Sequence, residues 1–219
     1  ISEGIDQTRG WFYTLLAIAV LLEKERSYKN VVSLGLILDK YGQKMSKSKG
    51  NIVNPWEMIE KYGVDVVRWH FYTVNPPGEP KRFDEADLGK VIRQFFLIVY
   101  NSFLFFKIYG KPGLKIKTVT NVLDRWVLAR LNETISSATK DLKKYEIGDS
   151  SKVIEEFVGD FSRWYIRRSR RRLQKPENQK DYESTSAVSS LVLLELSRLI
   201  APFAPFFAEA MYKSLASGK

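Results

Sequence analysis

Gly42-Gln43-Lys44-Met45-Ser46-Lys47-Ser48-Lys49-Gly50-Asn51 is the segment around which the rest of the chain makes sense. Three lysines fall within six residues, interleaved with serines and closed at both ends by a glycine, which reaches backbone angles other residues resist. This reads as a mobile cationic loop that can gather ammonium groups around a polyphosphate and stabilise charge as a phosphate group departs. It is not a Walker loop. Counting from Gly42, the pattern G-x-x-x-x-G-K-[ST] requires glycine where Lys47 stands, so phosphate binding would rest on side chains more than on a backbone cradle. Taken alone, a lysine-rich turn is a solvated loop.

The surroundings narrow the reading. Val31 to Leu38 is almost continuously apolar, which predicts a strand buried on both faces of a parallel sheet. In an open α/β sheet ligands collect beyond the carboxyl ends of the strands, where the lysine loop begins. Downstream, Asn54, Pro55 and Glu57 predict a capped helix to Tyr62, stopped by Gly63, then a second helix from Val64 to about Thr73. Upstream, Asp6 or Thr8 is expected to cap a helix to about Lys24, with Leu15, Leu16, Ile18, Ala19 and Leu22 as its apolar face. Glu3, Gly4, Asp6 and Gln7 then lie before a helix N-terminus, where a carboxylate can hold an ammonium or ribose hydroxyls. On its own such a loop is a capping turn, and Trp11 is an aromatic core residue.

The literal strings go further. Lys44-Met45-Ser46-Lys47-Ser48 reproduces the KMSKS signature of class I aminoacyl-tRNA synthetases. Glu3-Gly4-Ile5-Asp6-Gln7-Thr8-Arg9-Gly10-Trp11-Phe12 resembles the E-G-x-D-Q-x-R-G-W-F block of the isoleucyl branch of that family, in the expected order. The resemblance implies activation of isoleucine by ATP, accompanied by Mg2+, to an adenylate, then transfer of the acyl group to tRNA(Ile) in the cytoplasm. It implies that Lys44 and Lys47 are catalytic and, with Ser46 and Ser48, bind ATP; Lys49 lies outside the five-residue signature. Glu3 would bind the amino group of isoleucine, Gly4, Asp6 and Gln7 the adenylate and its ribose, and Trp11 would wall the isoleucine pocket. The family's H-x-G-H-type histidine pair and its editing domain are absent from these 219 residues, so the segment is not expected to form adenylate or to edit alone. The remaining parts of the same polypeptide are therefore implied partners. A valyl-type synthetase carries the lysine loop but differs in the Asp6-Gln7-x-x-Gly10-Trp11 block. Outside the enzyme class, the alternative is a non-catalytic tRNA-binding module derived from a synthetase.

Composition agrees with these expectations without dictating them. At 219 residues, 44% hydrophobic and 27% charged, the chain has room for one large or two modest domains. A formal net charge of +10 favours a polyanionic partner such as RNA. The lack of cysteine excludes disulfides and thiolate ligands, and a single histidine, His70, leaves no pair for zinc or for a Ser-His-Asp arrangement, so no metal site is expected. The chain opens on Ile1 with no charged segment followed by an apolar one, so there is no sign of export, and it reads as a piece of a longer polypeptide.

Asn75 to Arg82, with three prolines and a glycine, predicts a domain boundary. Residues 1–80 are expected to be the α/β C-terminal part of a Rossmann-type catalytic domain, and 81–219 an α-helical bundle. Leu123-Asp124-Arg125-Trp126 and Ala201-Pro202-Phe203-Ala204-Pro205-Phe206 resemble segments of the family's anticodon-binding domain. Helices are expected from Asp84 to about Tyr109, Val122 to about Tyr145, Ser151 to Leu173, Glu183 to Ile200, and after Pro205. Phe95 to Ile108 approaches membrane composition, but Asn101 and Ser102 interrupt it and a span needs about 20 apolar residues, so a bundle helix is expected and no membrane. The third helix gathers Arg163, Arg167, Arg168, Arg170, Arg171 and Arg172 around Trp164 and Tyr165. Guanidinium groups pair with phosphates and stack on unpaired bases, which suits tRNA. At about 3.6 residues per turn the six cannot all face one way, so some are expected to be internal salt-bridge partners.

Overall fold

The computed structural model describes residues 1–116 and 118–216. Strand β1, Ser2–Gly4, pairs in parallel with β2, Val32–Leu34, and β3, Ile37–Leu38, pairs in parallel with β4, Lys81–Arg82. The single buried strand expected over Val31 to Leu38 is thus two short strands, broken at Gly35, with Leu34, Leu36 and Ile37 exposed. The cause is a crossing turn. A Cβ on Gly35 would sit 2.1 Å from the Glu79 carbonyl oxygen, and the Gly35 N–H donates to the Pro77 carbonyl, so the 76–80 segment passes directly over the backbone. Lys81 ties that turn down: its buried ammonium donates to the carbonyls of Asn75 and Pro76 and to Asn75 Oδ1. Burial lowers its pKa.

Helix α1, Trp11–Leu21, differs from expectation at both ends and on its surface. Residues Ile5–Arg9 form a separate 3-10 turn, and neither Asp6 nor Thr8 caps a helix. Gln7 does that work, its Oε1 accepting from the Trp11 N–H at 3.0 Å. Trp11 is not a core residue in this chain: it is 44% exposed. Val20, Leu21 and Leu22 are likewise exposed, because within these residues nothing packs over that face.

Two of the helix starts that follow carry the caps expected at Asn54 and Asp84. Asn54 accepts from the Trp56 N–H and donates to Glu57, opening α2, Pro55–Tyr62; Gly63 separates it from α3, Val64–Thr73. Asp84 accepts from the Ala86 N–H and opens α4, Glu85–Val91, which runs through a π-helical turn at Ile92–Phe96 into α5, Leu97–Tyr109. By length and composition 85–109 would suffice to cross a membrane; in the fold Phe95, Phe96, Val99, Phe105 and Phe106 bury its inner side. Helix α6, Val122–Lys143, is capped by Asn121. Then α7, Ile147–Gly159, a second π-helical segment at Asp160–Ile166, and α8, Arg167–Gln174, form one unbroken rod. It starts earlier than the expected Ser151: Ser150 and Ser151 are buried inside it, and Ser151 Oγ donates to the Gly148 carbonyl instead of capping. Helix α9, Gln179–Ile200, also starts early, on the Asn178 cap, and α10, Pro205–Ala216, completes the bundle.

One core runs from α2 to α10. At its centre Trp69 is fully buried, stacked on Phe95 with ring centroids 3.7 Å apart and tilted against Phe203 at 5.3 Å, while its indole N–H donates to Glu155.

Candidate functional site

The lysine loop is free in its cations and held in its backbone. Asp39, at the end of β3, is buried and accepts from the N–H groups of Tyr41 and Gln43 through Oδ1 and from Asn51 Nδ2 through Oδ2. Asn51 Oδ1 in turn accepts from the Ser46 N–H at 2.9 Å. One aspartate and one asparagine therefore close both ends of the segment. The bond from Asn51, then that from Gln43, holds the Asp39 carboxyl below the usual carboxylate range. Gly42 and Gly50 take positive φ of 79° and 65°, the left-handed conformation a side chain would strain, so the chain can turn sharply at each end. Between them Ser46 and Ser48 share a hydroxyl contact of 3.2 Å, and Lys44, Lys47 and Lys49 are exposed, none in an ion pair among the described residues, though the Lys49 charge adds to the lowering of Asp39. Arg82 of β4 lies beside the turn, its Nε 3.1 Å from where a Gly42 Cβ would be. Asp39 and Asn51 are the site residues sequence reasoning passed over. Each stands at an edge of the segment, Asp39 after an apolar run and Asn51 after the last lysine, but no sequence pattern links the two.

Glu3 and Gly4 lie on β1, and Asp6 and Gln7 on the 3-10 turn that leaves its carboxyl end. Gln7 Nε2 donates to Asp6 Oδ2 while its Oε1 holds the start of α1, so these two side chains brace each other; Glu3 is exposed and Trp11 stands at the mouth of the same turn. This block and the lysine loop both leave carboxyl ends of parallel strands, the position where α/β sheets bind ligands. No hydrogen bond or ion pair among the described residues joins the two. Nor do His, Asp and Glu side chains gather into a group of three or more able to hold a metal ion there.

The arginine rod divides by exposure. Arg163, Arg167, Arg168, Arg170 and Arg171 face outward. Arg172 is turned in: its guanidinium donates to both oxygens of Asp124, which is fully buried, and to both oxygens of Asp181. Tyr165 OH and Ser184 Oγ donate to the same Asp124 carboxylate. Burial alone would lower the Arg172 pKa, but the bonds to Asp124 and Asp181 raise it; burial, reinforced by Asp124, pushes the Tyr165 phenol well up. Arg172 is therefore one of the internal partners expected of this helix and is not free to contact RNA.

Helix α3, which follows the loop and α2, is tied to the bundle. Arg68 donates to the carbonyls of Pro202 and Phe203, Asp65 Oδ2 accepts from the Phe207 N–H, and Trp69 reaches Glu155 on α7, the same rod that continues into the arginines.

Residues 1–83 match the family described as tRNA synthetases class I (I, L, M and V), and residues 124–219 match the anticodon-binding domain of tRNA ligase. The isoleucine–tRNA ligase of Dehalococcoides mccartyi is 46% identical over 98% of this chain, and that of Thermus thermophilus 41% over 98%. The chain spans only 22% and 21% of those two proteins, about a fifth of the curated relatives' length. Among solved structures, Mycobacterium tuberculosis methionyl-tRNA synthetase in complex with methionyl-adenylate superposes with a TM-score of 0.79 at 20% identity, covering 96% of this chain and 42% of that one. A leucyl-tRNA synthetase of Agrobacterium radiobacter, solved with tRNA, superposes at 0.72 and 19% identity, covering 98% and 27%. These two likenesses bear on the fold.

Proposed function

The chain belongs to the class I tRNA synthetases, and from that premise we propose that it is the lysine-loop end of the catalytic domain of an isoleucine–tRNA ligase, joined at about residue 80 to a helical anticodon-binding domain. The observation that carries the reading is the pinned loop: Lys44 and Lys47 stand exposed and unpaired on a backbone that Asp39 and Asn51 hold at both ends. Two ammonium groups so presented, with the Ser46 and Ser48 hydroxyls, bind the phosphates of ATP and neutralise the charge that grows as pyrophosphate leaves. Mg2+ arrives with the nucleotide as its counter-ion. Glu3 holds the ammonium of isoleucine, Gly4, Asp6 and Gln7 meet the adenylate and its ribose, and Trp11 closes the side-chain pocket. Its exposure supports a role on a surface that ligand and the rest of a longer, cytoplasmic translation enzyme cover. The outward arginines of the rod bind tRNA(Ile), with Arg172 reserved for structure.

The reading is tested in a full-length ligase containing these residues. Lys47→Ala is expected to slow isoleucine-dependent pyrophosphate exchange by about 100-fold or more, the scale of removing one charge-stabilising group, while isoleucine affinity stays within a few-fold. Normal exchange turnover in that variant would overturn it. The chain alone is expected to give no exchange.

A further inference from the structure

Strand β4 consists of two basic residues whose side chains face opposite ways, as successive residues of a strand do. Lys81 is buried, and its ammonium is spent on Asn75 and Pro76, so the start of β4 is held against the 75–80 turn. Arg82 is exposed, and its guanidinium makes no hydrogen bond or ion pair among the described residues. Its place is nevertheless defined: Nε lies 3.1 Å, and Cζ and Nη2 3.3 Å, from where a Cβ on Gly42 would stand. The guanidinium therefore packs on the turn that opens the lysine loop. Strand β4 runs parallel to β3 with Arg82 in register with Leu38, so the carboxyl ends of the two strands lie side by side where the loop begins. Asp39, the carboxylate that follows Leu38, is occupied by Tyr41, Gln43 and Asn51 and forms no ion pair with Arg82.

We propose that Arg82 is a further phosphate-binding residue of this site, its guanidinium taking the polyphosphate of ATP together with the lysines of the loop. The proposal rests on the reading of Lys44 and Lys47 given above and deepens it. Lys44, Lys47, Lys49 and Arg82 bring positive charge to one edge with no ion pair to offset it, and a bound polyanion relieves that repulsion. Arg82 differs from the lysines in two ways that suit phosphate. Its planar fork can donate two parallel N–H···O bonds to one phosphate group, where an ammonium acts as a point charge. Its stem rises from a strand whose preceding residue is anchored by three hydrogen bonds, so the cation is placed before the nucleotide arrives. The lysines instead ride on a loop with a glycine of positive φ at each end. Gly42 serves this arrangement twice: it takes φ of 79°, and its lack of a Cβ lets the guanidinium lie against the turn.

The test is equilibrium binding of ATP and of adenosine to a full-length ligase containing these residues, and to its Arg82→Gln and Arg82→Lys variants. Arg82→Gln is expected to weaken ATP roughly ten- to hundredfold, the scale of a hydrogen bond to a charged group, and to leave adenosine, which has no phosphate, unchanged. Arg82→Lys keeps the charge without the fork and recovers part of the loss. A side chain that only props the turn would move ATP and adenosine together, so an equal loss of both overturns the proposal. Unchanged ATP binding in Arg82→Gln overturns it too. The reading of the lysine loop is scored separately, by pyrophosphate exchange in Lys47→Ala, so a failure at Arg82 and a failure of that reading are told apart.

Discussion

The front of the molecule and its bundle use similar apolar residues to opposite ends. In α1 the side chains of Ile18, Val20 and Leu21 are more than half exposed, Leu21 at 81%, and the two short sheets leave Leu34, Leu36 and Ile37 in solvent. In α9 and its neighbours Val192, Leu193, Leu196 and Ile200 are fully buried. The bundle buries most of its apolar side chains against one another, whereas α1 and the short sheets leave much of theirs uncovered. Apolar periodicity alone therefore says that a residue belongs inside something, not that the something lies within the same stretch of chain.

The contrast can be broken at Asp124. Asp124→Ala leaves Arg172 facing only Asp181 and strips Tyr165 and Ser184 of their acceptor. Arg172 keeps Asp181 as its counter-charge, so the cost is that of buried donors left without an acceptor, about 1–3 kcal/mol. Urea unfolding followed by circular dichroism should show the unfolding free energy fall by that amount. A loss below 1 kcal/mol would mean that Arg172 turns out to solvent and that the network is not what holds α6, α8 and α9 together.

What could be read from the sequence was local. Asn54-Pro55-x-Glu57 and Asp84 announce helix starts through bonds to residues two or three positions away, and the literal lysine string carries its chemistry within five residues. What could not be read depended on distant partners. The break at Gly35 needs the backbone of residues 77–79, and the inward turn of Arg172 needs Asp124, 48 positions away. Trp11 looked like core because apolar character was read without knowing what covers it. The bracing of the lysine loop sat between these cases: Asp39 and Asn51 are only 12 positions apart, yet no pattern marks that pair from composition or periodicity.

A smaller effect sharpens the boundary between the two regions. His70 on α3 is the chain's single histidine and is buried against Phe71 and Phe83, with Nε2 lacking a partner. Burial lowers its pKa below 6.5, opposed by nearby Asp87 and reinforced by Lys81. A group depressed on folding binds its proton more readily when unfolded, so the contribution is fully present above pH 6.5 and is lost as pH falls toward the folded value. Stability measured from pH 7 down to 5.5 should decline with a slope of at most about 1.4 kcal/mol per pH unit, one proton's worth. His70→Gln should flatten that slope. A slope that survives the substitution would assign the titration to other groups.

The same substitution applied to both regions decides the comparison most directly. Leu193→Ala removes a side chain from the closed core and should cost about 2–5 kcal/mol, the spread reflecting how far α6 and α9 can settle into the space. Leu21→Ala, on a residue already in water, should shift stability of the same chain by no more than about 0.5 kcal/mol. If both hold, Leu21 contributes little to folding in these residues, and on the reading proposed above its apolar face is covered by the rest of a longer ligase. In that protein the ranking should change: Leu21→Ala should become costly, because the same leucine would then be covered. A Leu21→Ala effect that stays within about 0.5 kcal/mol in the full-length enzyme would show that α1 faces water there too. Its apolar face would then have to be explained by something other than the missing part of the catalytic domain.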